Sequence, residues 1–205
     1  MQRAFDVAAS FAALLFLSPL LALLALTVKV TSSGPVLYRG PRVGRDGVPF
    51  SILKFRTMRV GVAGPLITRE ADPRVTPVGR FLRRWKLDEL PQFINIVRGE
   101  MSLVGPRPES PEFVALYTED ERRVLRVRPG LTSPASVKYR HEESLLTGQA
   151  WQDLYVNGIM RDKLRIDLAW LSRRTFASDL RLLLRSTAIV FRSRRDTDTA
   201  GEAPL

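Results

Sequence analysis

Two neighbouring carboxylates, Asp88 and Glu89, are the side chains in this sequence best suited to do chemistry. The apolar periodicity places Asp88 where a helix begins, and the free N–H groups and partial positive charge of a helix start favour an ionised carboxylate. Such a group has three uses: it can hold Mg2+, attack phosphorus, or cap the helix. On position alone, capping is the simplest of them.

Groups shaped for phosphate surround the pair. Arg107 stands between Pro106 and Pro108, which fix its backbone, and a guanidinium fork binds phosphate oxygens through paired hydrogen bonds. Arg107 is therefore the first choice of phosphate ligand, Arg56 and Arg74 come next, and Lys54 adds a point charge. Taken singly, Arg56, Arg74 and Lys54 are equally well explained by solvation or lipid contact. The run Gly105-Pro106-Arg107-Pro108 also suits a rigid turn, although a turn does not require the arginine. The absence of cysteine rules out a disulfide framework, a thiolate nucleophile and a thiolate metal site. The single His141 rules out a multi-histidine cluster and reads as an ordinary polar residue, so any metal must be held by oxygen.

The elements that must position these groups can be sketched from pattern. At 205 residues one core with appendages is expected. From Phe11 to Leu26 every residue is apolar except Ser18 and Pro19, and with its flanks the run approaches the roughly 20 residues that cross a hydrocarbon core. No small-residue cleavage site follows it, so residues 1–31 are read as a retained membrane segment. Pro19 must disturb a helix and Ser18 can bond a carbonyl freed there. Arg3 on one side and Lys29, Arg39 and Arg42 on the other favour leaving both ends on the cytoplasmic face. A re-entrant helix-break-helix hairpin is the favoured reading, with a kinked transmembrane helix as the alternative.

Residues 32–192 read as the catalytic body. Val36–Tyr38 and Phe50–Leu53 flank Gly44-Arg45-Asp46-Gly47, a hairpin signal, and Val60–Pro77 reads as a loop able to close over a ligand. A basic amphipathic helix begins near Val78, with Phe81, Leu82, Trp85 and Leu87 on its apolar side. A second is expected from Asp88, as N-cap, through Ile96, with a stop near Gly99. Further helices are expected over Ser110–Arg126 and Asp162–Phe191, and a disordered tail over 193–205. Trp151, Tyr155 and Trp170 are assigned to core packing rather than to a lipid interface. The fold class is thus α+β, mostly helical: an N-terminal re-entrant membrane helix, a small β-hairpin and amphipathic interfacial helices around one catalytic core.

The net charge of +11 draws the chain toward anionic partners and leaves one non-enzymatic reading open, a membrane-tethered binder of nucleic acid or anionic lipid. Against it, no helix-turn-helix, RNP-type aromatic pair or zinc pattern is present. The ordered set Lys54-Phe55-Arg56-Thr57-Met58, Asp72-Pro73-Arg74, Gly79-Arg80, Leu87-Asp88-Glu89-Leu90-Pro91-Gln92, Arg98 to Pro108 and Arg128-Pro129-Gly130-Leu131-Thr132, behind an apolar segment carrying Ser-Pro, resembles the monotopic phosphoglycosyl transferases. This is the bacterial sugar transferase family, in its minimal catalytic-domain form, and the likeness runs from about Phe5 to Phe191.

The resemblance implies an enzyme of the bacterial inner membrane, cytoplasmic face, that moves a sugar 1-phosphate from a UDP-sugar to polyprenyl (undecaprenyl) phosphate. UMP is released, in the first membrane step of a glycan or exopolysaccharide pathway. It implies Asp88 as nucleophile, Glu89 as its helper, and Mg2+ held by Asp88 and Glu89. The implied partners are the UDP-sugar, polyprenyl phosphate and membrane lipid, without nucleic acid; a homodimer stays open. Glu100 stands where the family commonly has aspartate, and Leu131-Thr132-Ser133-Pro134-Ala135 departs from the more frequent Gly-Leu-Ala version.

Overall fold

Proline, glycine and a few buried polar contacts decide where the elements of this chain start and stop. A computed structural model describes residues 2–62, 64–65, 67–68, 72–146 and 150–198. Helix α1 spans Gln2–Thr31 and carries Pro19 inside it. Pro19 has no N–H to offer the carbonyl of Leu15, four residues earlier, and Ser18 Oγ donates to that carbonyl at 2.8 Å. The helical backbone therefore continues across the Ser-Pro pair.

The two ends of α1 sit on the same body. Arg3 donates to the carbonyls of Ile96 (2.6 Å) and Met101 (3.2 Å), and buried Asp6 accepts from Ser102 Oγ. At the far end Leu24 and Val28 are buried against Phe55 and Leu82, beside Leu87 and Leu90. Helix α1 thus runs antiparallel to residues 87–98. Its middle is bare, with Phe16 85% and Phe11 62% exposed. Among the described residues it is the one helix long and apolar enough to cross a membrane.

Strands β1 (Leu37–Val43) and β2 (Pro49–Phe55) form the expected hairpin, paired antiparallel from Leu37 with Phe55 to Val43 with Pro49. Asp46 and Gly47 take left-handed angles at the turn, as Asp-Gly permits. Helix α2 (Pro77–Arg84) is capped by the Thr76 side chain, which accepts from Gly79 N at 2.9 Å. Its apolar side is narrower than expected: Leu82 is buried, whereas Phe81 is exposed and tilts against Trp85.

The second helix does not start at Asp88. Lys86 turns left-handed (φ 54°), Leu87–Glu89 form a single 3-10 turn, and α3 occupies Gln92–Arg98 behind Pro91, ending at left-handed Gly99. Asp88 is a buried turn residue and caps nothing.

A second sheet escaped the pattern. Strands β3 (Ser102–Val104) and β4 (Gly130–Thr132) pair in parallel, three residues each, too short to show alternation. Gly105 and Gly130 lie so close that a Cβ on Gly130 would come within 2.1 Å of Gly105 N. Both glycines are needed for that approach.

The single helix expected over Ser110–Arg126 is instead α4 (Pro111–Val114) and a 3-10 turn (Glu121–Arg126). Thr118 and Glu121 cap each other reciprocally, Thr118 N to Glu121 Oε2 at 2.8 Å and Glu121 N to Thr118 Oγ1 at 3.3 Å, which restarts the helix there. Helices α5 (Pro134–Lys138) and α6 (Glu142–Leu145) follow. Then α7 (Trp151–Asp153) joins α8 (Met160–Leu171) through a π-helical stretch, Leu154–Ile159.

Trp151, Tyr155, Ile159, Met160 and Leu164 pack with Val43, Val114, Tyr117, Val124 and Leu146 into the largest core. Trp170 is packed against Ile96 and Leu103 with Arg174 over its ring. Helix α9 spans Phe176–Asp198, so helix covers the start of the expected tail; residues 199–205 lie outside the described residues.

Candidate active site

Lys54 comes from β2, Asp88 and Glu89 from the 3-10 turn, and Arg107 from the loop that leaves β3. Each placement has a local cause. Asn95 of α3 accepts from Leu53 N at 3.0 Å and donates to Ser51 O at 2.8 Å, which locks α3 and the turn before it onto β2. Gly105 N donates to Thr132 O (2.9 Å) and Gly130 N to Pro106 O (2.8 Å), which pin the two residues leading into Arg107. Glu100 supports this frame by accepting from Asn95 Nδ2 at 2.6 Å.

The charges converge on Glu89. Lys54 Nζ donates to Glu89 Oε1 at 2.9 Å, and Arg107 donates through Nη1 to Oε2 at 3.3 Å and through Nη2 to Oε1. Burial by itself would raise the Glu89 carboxyl, but Arg107 and Lys54 outweigh it and hold the group well below the ordinary glutamate value. Burial lowers Lys54, and Glu89 partly restores it. Glu89 lifts Arg107 above the usual arginine value against its own desolvation.

Asp88 behaves differently from its neighbour. It is 6% exposed, and its Oδ1 has no hydrogen-bond partner among the described residues. Desolvation pushes its carboxyl above the ordinary aspartate value, resisted by Lys54, Lys86 and Arg83 and reinforced by Glu89. The expectation of a freely ionised N-cap is thereby corrected: the group sits off the helix dipole, in a dry place, and depends on nearby cations for its charge. A carboxylate with one oxygen uncommitted, beside cations that a phosphate could share, has the chemistry to attack phosphorus or to bind a metal.

Arg56 and Arg74 are not brought to this cluster. Arg56 is buried and its fork holds the end of α1, donating to Ser32 O at 2.8 Å, Ser32 Oγ at 2.9 Å and Ser33 O. Arg74 is paired with Asp72 at 2.7 Å and donates to Pro65 O at 2.9 Å. Both are held by partners of the protein's own. Beside Arg107 opens a small recess of about 40 Å³, walled by Val43, Glu109, Tyr117, Lys163 and Asp167 among others.

Sequence reasoning passed over Gln92. Its side chain is fully buried, and neither Nε2 nor Oε1 has a partner among the described residues. Its only signal was its place in the Leu87–Gln92 run.

Comparison with known proteins gives the family of the chain. The family model described as bacterial sugar transferase matches residues 1–193. The chain is 38% identical over 198 residues to the UDP-glucose:undecaprenyl-phosphate glucose-1-phosphate transferase of Caulobacter vibrioides, covering 90% of this chain and 67% of that one. It is 43% identical over 146 residues to the Escherichia coli protein of the same name, covering 67% of this chain and 31% of the relative. With the exopolysaccharide production protein ExoY of Rhizobium meliloti it shares 42% over 172 residues, 76% of each. The chain spans only about a third or less of the Escherichia coli and Komagataeibacter xylinus relatives, at 31% and 27% of their lengths.

Proposed function

Because the chain belongs to the bacterial sugar transferase family, we propose that it moves a sugar 1-phosphate from a UDP-sugar to undecaprenyl phosphate and releases UMP, in the first membrane step of a glycan or exopolysaccharide pathway. The names of its relatives make UDP-glucose the first donor to test. The observation that carries the reading is the buried, half-unpartnered Asp88 beside a Glu89 gripped by Lys54 and Arg107.

An Asp88 oxygen attacks the β-phosphorus of the donor, the bond from that phosphorus to the bridging oxygen breaks, and UMP leaves with the electron pair. The sugar phosphate is then held as an acyl phosphate on Asp88. A phosphate oxygen of undecaprenyl phosphate attacks the same phosphorus, the bond to Asp88 breaks, and the carboxylate is restored. Glu89, kept anionic by Arg107 and Lys54, fixes both cations where the diphosphate enters; its depressed value suits it better to that task than to accepting a proton. Arg107 offers a fork and Lys54 a point charge to the phosphate oxygens. Arg56 and Arg74 act as supports, Arg56 by clamping the end of α1.

Mg2+ fits this donor set. The ion takes one or two carboxylates and completes its shell with phosphate and water, and Asp88 Oδ1 is an uncommitted buried oxygen next to a second carboxylate. Asp88, with Glu89 beside it, would hold the ion, which when bound offsets the repulsion between carboxylate and diphosphate.

The same frame supports a re-entrant α1. Both of its ends rest on one body while its apolar middle is bare, and a segment crossing the bilayer would carry its ends to opposite faces. The body then lies on the cytoplasmic face of the inner membrane.

The test is UMP release from UDP-glucose, with UDP-N-acetylhexosamines as comparators, by detergent-extracted protein with undecaprenyl phosphate and Mg2+. The wild type releases UMP, and Asp88→Asn releases none while still fractionating with membranes. Turnover by the variant would overturn Asp88 as nucleophile.

A further inference from the structure

We propose that Gln92 is a positioning residue for Asp88: its side-chain amide donates to the Asp88 carboxylate as the donor is taken up and fixes the orientation in which that carboxylate meets phosphorus. This rests on the functional reading above. Gln92 is 0% exposed and both of its amide atoms lack partners among the described residues, as does Asp88 Oδ1. An unmade hydrogen bond at a buried polar group is costly, and such groups are nearly always paired in folded proteins. Two unpaired groups four residues apart call for one explanation.

The backbone brings them together. Leu90 (φ −55°, ψ −35°) and Pro91 (φ −61°, ψ −15°) are right-handed helical, so the 3-10 turn runs into α3 without reversing. Gln92 thus follows Asp88 by about one turn of this run. The next turn of the same helix is already committed, Asn95 being bound to Ser51, Leu53 and Glu100.

The groups facing Asp88 from other elements are cations: Lys54 from β2 and Arg83 from α2, with Lys86 and Glu89 on its own turn. None of these hydrogen-bonds Oδ1. From α1 the neighbouring polar group is Ser10, also buried and unpartnered, and level with α3 in the antiparallel arrangement. Ser10 is the rival partner for the amide. An amide N–H to a carboxylate is a charge-assisted bond and the stronger choice. Hydrogen bonds of catalytic groups often close only once substrate is bound.

Gln92→Met, an unbranched side chain of similar length without the amide, separates a positioning role from packing. The expected result is a kcat at least tenfold lower, a KM for UDP-glucose within twofold of wild type, and a thermal midpoint equal to or above it, since an unpaired buried amide is removed. Wild-type kcat with a lowered midpoint would make Gln92 a packing residue and overturn the proposal. Gln92→Asn keeps the amide but shortens its reach; it is expected to lose kcat in the same way and serves if the Met variant does not fold. Ser10→Ala is expected to keep kcat, and a loss equal to that of Gln92→Met would make Ser10 the partner and overturn the proposal. Turnover by Asp88→Asn would sink the functional reading itself. An inactive Asp88→Asn alongside a fully active Gln92→Met would sink only the role of Gln92.

Discussion

Glu89 accepts from two partly buried cations, so each charge in the cluster is held in place by the others. Arg107→Lys keeps the charge and discards the fork. If the guanidinium binds the donor's phosphate oxygens as well as Glu89, kcat/KM for the UDP-sugar falls about ten- to a hundredfold, or about 1.4–2.7 kcal/mol. Steady-state UMP release measures this directly, and a change under twofold would return Arg107 to a structural role. Lys54, Asp88, Glu89 and Arg107 were legible in the sequence because each sits in a short stretch whose turn residues have a visible purpose. The partners of Arg56 and Arg74 were not legible because arginine next to a motif says nothing about which acceptor it will find; the acceptors are Ser32 and Ser33 for one and Asp72 for the other. Gln92 was invisible as an orphan because glutamine on a short helix reads as a surface residue until tertiary packing buries it.

At the scale of elements, patterns with a local cause were readable and those with a distant cause were not. The hairpin followed from Asp46-Gly47, and α2 from Thr76 and Pro77. The parallel pair β3–β4 depends on two glycines 25 positions apart approaching each other, which no window of sequence displays. The start of the second helix was misread because the left-handed residue Lys86 and the 3-10 turn Leu87–Glu89 replaced the expected capping by Asp88. Asp167 gives an element-scale prediction. It joins α8 to the start of α5 by accepting from Ala135 N at 3.1 Å, and burial raises its carboxyl to about 6. The raised value favours the protonated form in the fold. Its contribution to stability is therefore fully present below the unfolded value near 3.8 and is lost as pH rises through about 6. Asp167→Asn lacks this dependence. The stability of wild type relative to the variant should fall by up to about 3 kcal/mol between pH 4 and pH 7 and then level off. Thermal midpoints of both proteins across that range check it, and parallel curves would contradict it.

At the scale of the molecule, one apolar helix and one polar body are joined at two places. Arg3 and Asp6 tie the start of α1 to α3 and β3, and Arg56 and Leu82 hold its end, so both ends of the helix rest on the same body. Ser18 satisfies the carbonyl that Pro19 leaves free, which lowers the cost of distorting the helix at that point. The chain has no cysteine, so single cysteines report topology without background. Cysteines replacing Gln2 and the exposed Val48 should both resist a membrane-impermeant thiol reagent in intact cells and both react after lysis. Labelling of the Gln2 position alone in intact cells would establish a spanning helix. The most direct measurement of all bears on Asp88: incubation of the purified protein with UDP-glucose and Mg2+ without acceptor, followed by peptide mass spectrometry. A single hexosyl phosphate on the peptide containing Asp88, absent from Asp88→Asn and discharged by undecaprenyl phosphate, is the predicted result. UMP formed at the wild-type rate with no modified peptide at any time would contradict it.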